Sequence, residues 1–170
     1  MRSVRRGIRS DADFDDFVRR NQAQLQRAAW MLTGDWAGAE DLTQEVLLRT
    51  WRRWNHLRGM TTKEAYVRKM LLSTFLTRQR RRWRLERPAA VLDDVSTGGE
   101  ADRIDDAVDL TRLVSSLPPR QRAVIALRYV FDYTESDVAE LMGTSVGTVK
   151  SQHAKALRAL RADAHLTAKG

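Results

Sequence analysis

The chain contains no cysteine. Disulfides, thiolate metal sites and cysteine nucleophiles are therefore excluded. Long apolar runs are missing too. The longest, such as Ala28–Leu32, are five residues, whereas a helix across a bilayer needs about 20. Met1–Ser10 is basic and lacks the apolar core of a signal peptide, so it reads as a frayed tail. Strand signals are nearly absent. No glycine-rich phosphate loop, G-x-S-x-G or H-E-x-x-H pattern occurs, and His56, His153 and His165 stand isolated from one another. Asp41 and Glu45, four apart, are the nearest approach to a metal pair, and two carboxylates alone specify little. An enzyme reading has little support, and neither a metal nor a cofactor is expected.

What the chain has is positive charge, unevenly spread. The net charge is +8 over 170 residues, which favours a polyanionic partner. Residues 49–87 carry 13 Lys/Arg against 2 Asp/Glu, and residues 88–116 carry 2 against 7. A basic block followed by an acidic one marks a segmented protein whose parts meet different surfaces.

Helical spacing runs through most of the rest. One helix is predicted from about Asp13 to Leu32, a second from Asp35 to about Trp54, then a loop at His56–Thr61. A third begins at a capping box formed by Thr61 and Glu64 and continues to about Trp83. Pro88 stops the pattern. The following stretch, with Asp93, Asp94, Gly98, Gly99 and Glu100, reads as an acidic flexible linker. Helices resume at about Ile104, Arg120, Thr134 and Ser145, with Pro119 suited to a first helical turn. The expected fold is all-α: two small helical domains, residues 11–87 and 103–167, joined by a linker over 88–102.

Residues Ala139–Lys155 have helix-turn-helix spacing. Small Ala139 lets two helices approach, Gly143 sits where the chain must turn with positive φ, and Val149 buries the second helix against the first. Ser145 is a suitable N-cap. The second helix then presents Val146, Thr148, Lys150, Ser151 and His153 early in its length, the part that enters a major groove in this motif.

Two further constellations bear on function. Arg78, Arg80, Arg81, Arg82 and Arg84, with Arg68 and Lys69 upstream, suit phosphate neutralisation; the alternative is a solvated face, although such faces usually alternate in sign. Trp51, Trp54, Tyr66 and Trp83 lie among or near these cations, where aromatics stack on unpaired bases or serve as core. Trp30 reads as core.

Gly34-Asp35…Ala39-Glu40-Asp41-Leu42-Thr43-Gln44-Glu45 resembles region 2 of sigma-70-type initiation factors. Leu117-Pro118-Pro119-Arg120-Gln121-Arg122, Tyr133-Thr134-Glu135 and Gly143-Thr144-Ser145-Val146-Gly147-Thr148-Val149-Lys150-Ser151 resemble region 4. With no counterpart of regions 1 and 3, the layout is similar to the extracytoplasmic-function (ECF) group, in its sigma-E-like branch.

The resemblance implies a protein that binds core RNA polymerase at its clamp coiled coil and flap, directs it to promoter DNA and assists melting. Asp41, Leu42, Gln44, Glu45, Leu48, Arg49 and Arg52 would face the polymerase. The −10 element would fall to His56, Arg58, Tyr66, Arg68 and Lys69, with Ser73, Thr77, Arg78, Arg80 and Arg81 further along. In relatives the loop matching His56–Thr61 holds a flipped-out base. The −35 element would be met by Arg120, Ser145, Val146, Thr148 and Lys150, then Ser151, Gln152, His153, Lys155 and Arg158. An anti-sigma factor is a further partner the resemblance allows, and the expected location is cytoplasmic, on the nucleoid when in holoenzyme, without membrane insertion.

Two positions depart from the family pattern. Ser73 stands where many relatives have Asn, and Gln152 where they often have Arg, which alters the hydrogen-bonding reach toward bases. A conventional helix-turn-helix regulator accounts for residues 134–158 but not for the basic third helix or the acidic motif at 40–45. A helical nuclease would need an acidic metal cluster.

Overall fold

A computed structural model of the chain describes residues 2–85 and 105–167; the expected linker over 88–102 lies outside them. Among the described residues there are helices α1 (Arg2–Thr33), α2 (Trp36–Arg52), α3 (Trp54–Leu57), α4 (Lys63–Leu85), α5 (Asp105–Ser116), α6 (Pro119–Tyr129), α7 (Glu135–Met142) and α8 (Val146–Thr167), and no strand. The all-α expectation therefore holds for them.

α1 ends where Gly34 takes φ of 79° and donates its N–H to the Trp30 carbonyl at 2.8 Å. Asp35 then caps α2, its carboxylate accepting from the Gly38 N–H at 2.6 Å. At the other end, α1 includes residues 2–10, which the sequence suggested were frayed. Only Gly7 in that stretch disfavours helix, and extending an existing helix costs little compared with nucleating one. α4 starts one residue later than its predicted capping box: Lys63 is its first residue, so the N-cap position falls on Thr62. α3 occupies part of the predicted loop; buried Trp54 and Leu57 pin that single turn against the core.

The first half is built on α1, α2 and α4. Leu42 and Val46 from α2 meet Val67, Leu71 and Phe75 from α4 and Phe17, Leu25 and Ala28 from α1, all buried. The i, i+4 spacing puts each set on one helix face. Trp54 packs edge-on to Phe14 at 5.2 Å and tilted on Phe17 at 5.2 Å, so it is core. Trp30 is core as well. Trp51 keeps 40% of its surface although its ring lies 4.9 Å from that of Phe14. Trp83 is 70% exposed at the end of α4.

In the second half α6 is the central element, touched by α1, α7 and α8, which explains why Ala123, Val124, Ile125, Ala126 and Leu127 are all buried in succession. The two halves dock on each other. One hydrophobic core runs from Phe17 through Phe75 to Val149, and Met31 of α1 packs against Leu117, Ile125 and Ala156. The approach is tight at Gly34: a Cβ there would lie 2.8 Å from the Ser115 Cβ.

Candidate nucleic-acid interface

The helix-turn-helix forms from local signals. Thr134 caps α7, its hydroxyl accepting from the Asp137 N–H at 3.1 Å while the Asp137 carboxylate accepts from the Thr134 N–H at 2.8 Å. Gly143 closes α7 in the left-handed region, with φ of 61°. Ser145 Oγ accepts from the Thr148 N–H at 3.1 Å, as an N-cap should. Val149 and Ala139 are buried between the two helices.

This leaves Val146, Thr148, Lys150, Ser151, Lys155 and Arg158 exposed along α8. Arg120 is exposed at the start of α6. Lys150 Nζ lies 3.9 Å from a Glu135 carboxylate oxygen, a surface pair of little strength and readily exchanged for a phosphate. Gln152 is half-buried. His153 is half-buried: its Nε2 is 2.9 Å from the Tyr129 hydroxyl of α6 and the two rings are 5.7 Å apart. It faces the helix behind it and shares its ring nitrogen with Tyr129.

The Asp137 carboxylate also accepts from the Thr134 hydroxyl at 2.6 Å. These two hydrogen bonds, the hydroxyl's first, hold its pKa below the ordinary carboxylate value. A depressed folded-state pKa means that the cap contributes fully above the unfolded value and is lost as pH falls through the lowered one. Thr134→Ala should therefore move the Asp137 pKa back toward the ordinary value. Carboxyl-carbon chemical shifts across an acid titration measure it; an unchanged midpoint would refute the reciprocal cap.

The basic region of α4 divides into charges that are committed and charges that are free to act. Arg78 lies across α2: its Nε donates to Glu45 Oε2 at 3.0 Å and its Nη2 reaches the Asp41 carbonyl at 3.4 Å. Arg49 pairs with the other Glu45 oxygen at 2.5 Å and reaches Thr74 Oγ1 at 3.3 Å. Glu45 thus bridges the two helices, and Arg78 is a structural pin before it is a phosphate ligand. Arg68 donates to Gln24 Oε1 at 3.1 Å, and its guanidinium lies 4.9 Å from the Phe131 ring centroid. Arg58 lies 3.9 Å from an Asp13 oxygen. Lys69, Ser73, Thr77, Arg80 and Arg81 are exposed on α4, and His56 on α3.

Of the residues expected to face a protein partner, Asp41, Gln44, Leu48, Arg49 and Arg52 form an exposed strip along α2. Leu42 does not join it. It is fully buried, because it lies on the opposite side of α2, and it supports the strip from beneath.

Between α2 and α4 lies an open concavity of about 470 Å³, lined by Arg49, Arg52, Arg53, Tyr66, Lys69, Met70 and Ser73. Arg53 Nη1 donates to the Tyr66 hydroxyl at 2.7 Å and fixes the ring. This concavity is separate from the His56–Thr61 loop, to which the resemblance assigns a base pocket. Sequence reasoning did not single out Arg53 or Met70. The available signal was the i, i+4 spacing of Arg49 with Arg53 and of Tyr66 with Met70, which stacks each pair on one side of its helix. Four cations around one ring suit a nucleotide: the ring for a base, the cations for phosphates. Among the described residues no group of three or more His, Cys, Asp or Glu is placed to hold a metal ion, and no helix is long and apolar enough to cross a membrane.

Comparison with known proteins agrees with this layout. Residues 17–85 match the family described as Sigma-70 region 2, and residues 107–160 match Sigma-70, region 4. The chain is 34% identical over 149 residues to an RNA polymerase sigma-E factor of Streptomyces avermitilis, covering 88% of this chain and 83% of that one. It is 32% identical to a sigma-E factor of Streptomyces coelicolor, covering 88% and 84%. Its fold is similar to that of the sigma factor RpoE from Bartonella quintana, solved with the anti-sigma factor NepR, at a TM-score of 0.67 and 24% identity over 88% of this chain and 97% of that one. It is also similar to CnrH, solved with the cytosolic domain of CnrY, at a TM-score of 0.60 and 19% identity over 92% and 89%.

Proposed function

The chain belongs to the sigma-70 family of RNA polymerase sigma factors, in its ECF group, and from that premise we propose a division of labour among its surfaces. As a sigma factor it binds core RNA polymerase, directs it to promoters and is not itself an enzyme. Residues 11–87 act as region 2 and residues 103–167 as region 4, with 88–102 between them. The exposed strip Asp41, Gln44, Leu48, Arg49 and Arg52 docks on the polymerase clamp coiled coil. The α8 face from Val146 to Arg158 reads the −35 element, and region 4 also approaches the flap. A solved relative is held by an anti-sigma factor, and such a regulator is a proposed partner here. The place of action is the cytoplasm, on the nucleoid within holoenzyme.

The concavity between α2 and α4 carries the −10 assignment. In a closed duplex no base is available to enter it, and extruding one costs a few kcal/mol. Tyr66 offsets that cost by stacking, worth roughly 1–3 kcal/mol per base, and Arg52, Arg53 and Lys69 neutralise the flanking phosphates. Ser73, on the rim, offers a hydroxyl whose hydrogen goes to the Met70 carbonyl at 3.1 Å, so it meets a base chiefly as an acceptor. Holoenzyme should bind a forked template more tightly than the same closed duplex. Tyr66→Ala should reduce that preference about thirtyfold, the equivalent of the midpoint of the stacking range, while −35 binding stays unchanged. Equal affinity of the parent holoenzyme for fork and duplex would refute the assignment.

A further inference from the structure

Tyr129 ends α6 with 56% of its surface exposed, although Arg122 to Leu127 of the same helix are buried. An aromatic ring left in solvent adds little to a core. Its hydroxyl is engaged elsewhere: it lies 2.9 Å from Nε2 of His153 on α8, with the two rings 5.7 Å apart and tilted by 44°. The bond joins the end of α6 to the helix that exposes Val146, Thr148, Lys150 and Ser151. Its place on α8 follows from helical spacing. At about 3.6 residues per turn, His153 stands about 40° round the helix from Val149, which has no exposed surface, and on the side of exposed Lys150. The pair therefore marks the border between the packed side of α8 and its outward face.

We propose that Tyr129 is a ligand for the DNA backbone: its hydroxyl, held by His153 as a positioning residue, donates to a phosphate flanking the −35 element. This rests on the reading of α8 as the −35 helix and adds to it a contact from α6. In a helix-turn-helix the recognition helix enters the groove while a neighbouring helix crosses the backbone. A side chain at the border of the recognition helix, or on the helix behind it, meets the wall of the groove, which is phosphate and sugar. Lys150, on the same border, brings a cation to that wall once it leaves Glu135, 3.9 Å away. Tyr129 brings no charge. Its ring has two side-chain torsions and is already held by His153, so it sets position at little entropic cost.

The hydrogens can be accounted for. A phenol has one hydrogen to give and lone pairs to accept with, while the imidazole nitrogen facing it either donates or accepts. With Nε2 accepting, the phenol hydrogen is spent on the ring, and only lone pairs face an approaching phosphate. With Nε2 donating, the phenol hydrogen is free for a phosphate oxygen. Imidazole, hydroxyl and phosphate then form a chain in which each bond polarises the next. A phosphate at Tyr129 therefore selects the second arrangement, and the 2.9 Å contact with His153 is kept. A neutral donor displaces no counterion, so this contact adds affinity without adding salt dependence.

The test uses holoenzyme and promoter DNA in which neutral methylphosphonates replace, one at a time, the phosphates flanking the −35 element. Parent holoenzyme should lose about tenfold in affinity at one of them, the size of one hydrogen bond to a charged group. Tyr129→Phe, which removes only the hydroxyl, should lose about the same factor on unmodified DNA. It should then be indifferent to that one methylphosphonate while staying sensitive to the others. Its base preference in a promoter library and its salt slope should match the parent's, whereas Lys150→Ala should lower the slope by about one. His153→Ala should weaken binding and leave Tyr129→Phe with little further effect. Melting temperature should not move with Tyr129→Phe, because the lost group is at the surface. A Tyr129→Phe holoenzyme with the parent's affinity, or one still sensitive at the same phosphate, would overturn the proposal. So would a changed base preference, which would make Tyr129 a device for orienting α8. A parent with no −35 preference would overturn the α8 reading and this proposal with it; a parent that has the preference, beside an unaffected Tyr129→Phe, overturns this proposal alone.

Discussion

Truncating Phe75 to alanine is expected to destabilise the chain by about 3–5 kcal/mol, the range for removing a buried aromatic ring. Phe75 is the largest of the side chains with essentially no exposed surface. It sits in α4 where α1 and α2 converge, and Arg122 lies over its ring. The cavity would therefore open beneath both the first half's core and the seam with the second. Domains commonly hold only about 5–15 kcal/mol in total, so the loss is a large share, and the melting temperature should fall by about 10 °C at the size scaling for such a chain. Ser73→Ala, two residues earlier on the exposed side of α4, should stay within about 0.5 kcal/mol of the parent. Urea unfolding of the three proteins measures the difference. A Phe75→Ala loss no larger than the Ser73→Ala loss would mean that this region does not form the core described.

How legible such features were in the sequence depends on how far apart their parts lie. The helix-turn-helix was readable because each signal is local. Thr134 and Asp137 are three residues apart, as are Ser145 and Thr148, and Gly143 adopts positive φ because of the turn it makes itself. The N-terminus of α4 shows the limit even of local signals. Two threonines, 61 and 62, stand side by side before Lys63, and choosing between them needs the backbone. α3 escaped notice for a related reason: a four-residue helix is too short to display a period, and two buried anchors hold it.

The fate of the basic residues was not legible at all. The sequence counts charges, while their function depends on partners brought in by the fold. Arg78 meets Glu45 across 33 positions, Arg68 meets Gln24 across 44, and Arg122 meets Thr33 across 89. Each contact withdraws a cation from the solvent-facing set. Lys69 instead faces the concavity between α2 and α4, and Arg80 and Arg81 stay exposed near the end of α4. The reverse held for Leu42, which belongs to the acidic–amide motif in sequence but points into the core. A motif is a run along a helix, whereas an interface takes only the residues on one face.

Val149→Asp should abolish −35-dependent transcription while leaving holoenzyme assembly intact. Val149 has no exposed surface and is held between α8 and the helices it packs on, α6 and α7. An ionised carboxylate there has no partner, and its burial is costly enough that the system must respond in one of two ways. Either the introduced carboxyl stays protonated, with its pKa raised, or α8 detaches and exposes it. At neutral pH both responses destabilise the position that sets the angle of the recognition helix, and a loss of about 3 kcal/mol corresponds to roughly a hundredfold in binding. The polymerase strip on α2 lies in the other half and keeps its contacts with α4. Run-off transcription on templates with and without the −35 element should therefore converge to the same low level, while core binding by the variant remains within about twofold of the parent at the usual tolerance for distant sites. The pH dependence has a definite sign. A carboxyl with a raised folded-state pKa destabilises above its unfolded value, so the difference in stability between variant and parent should shrink as pH falls toward 4. A variant that still discriminates the −35 element at neutral pH would show that α8 is not held by this contact.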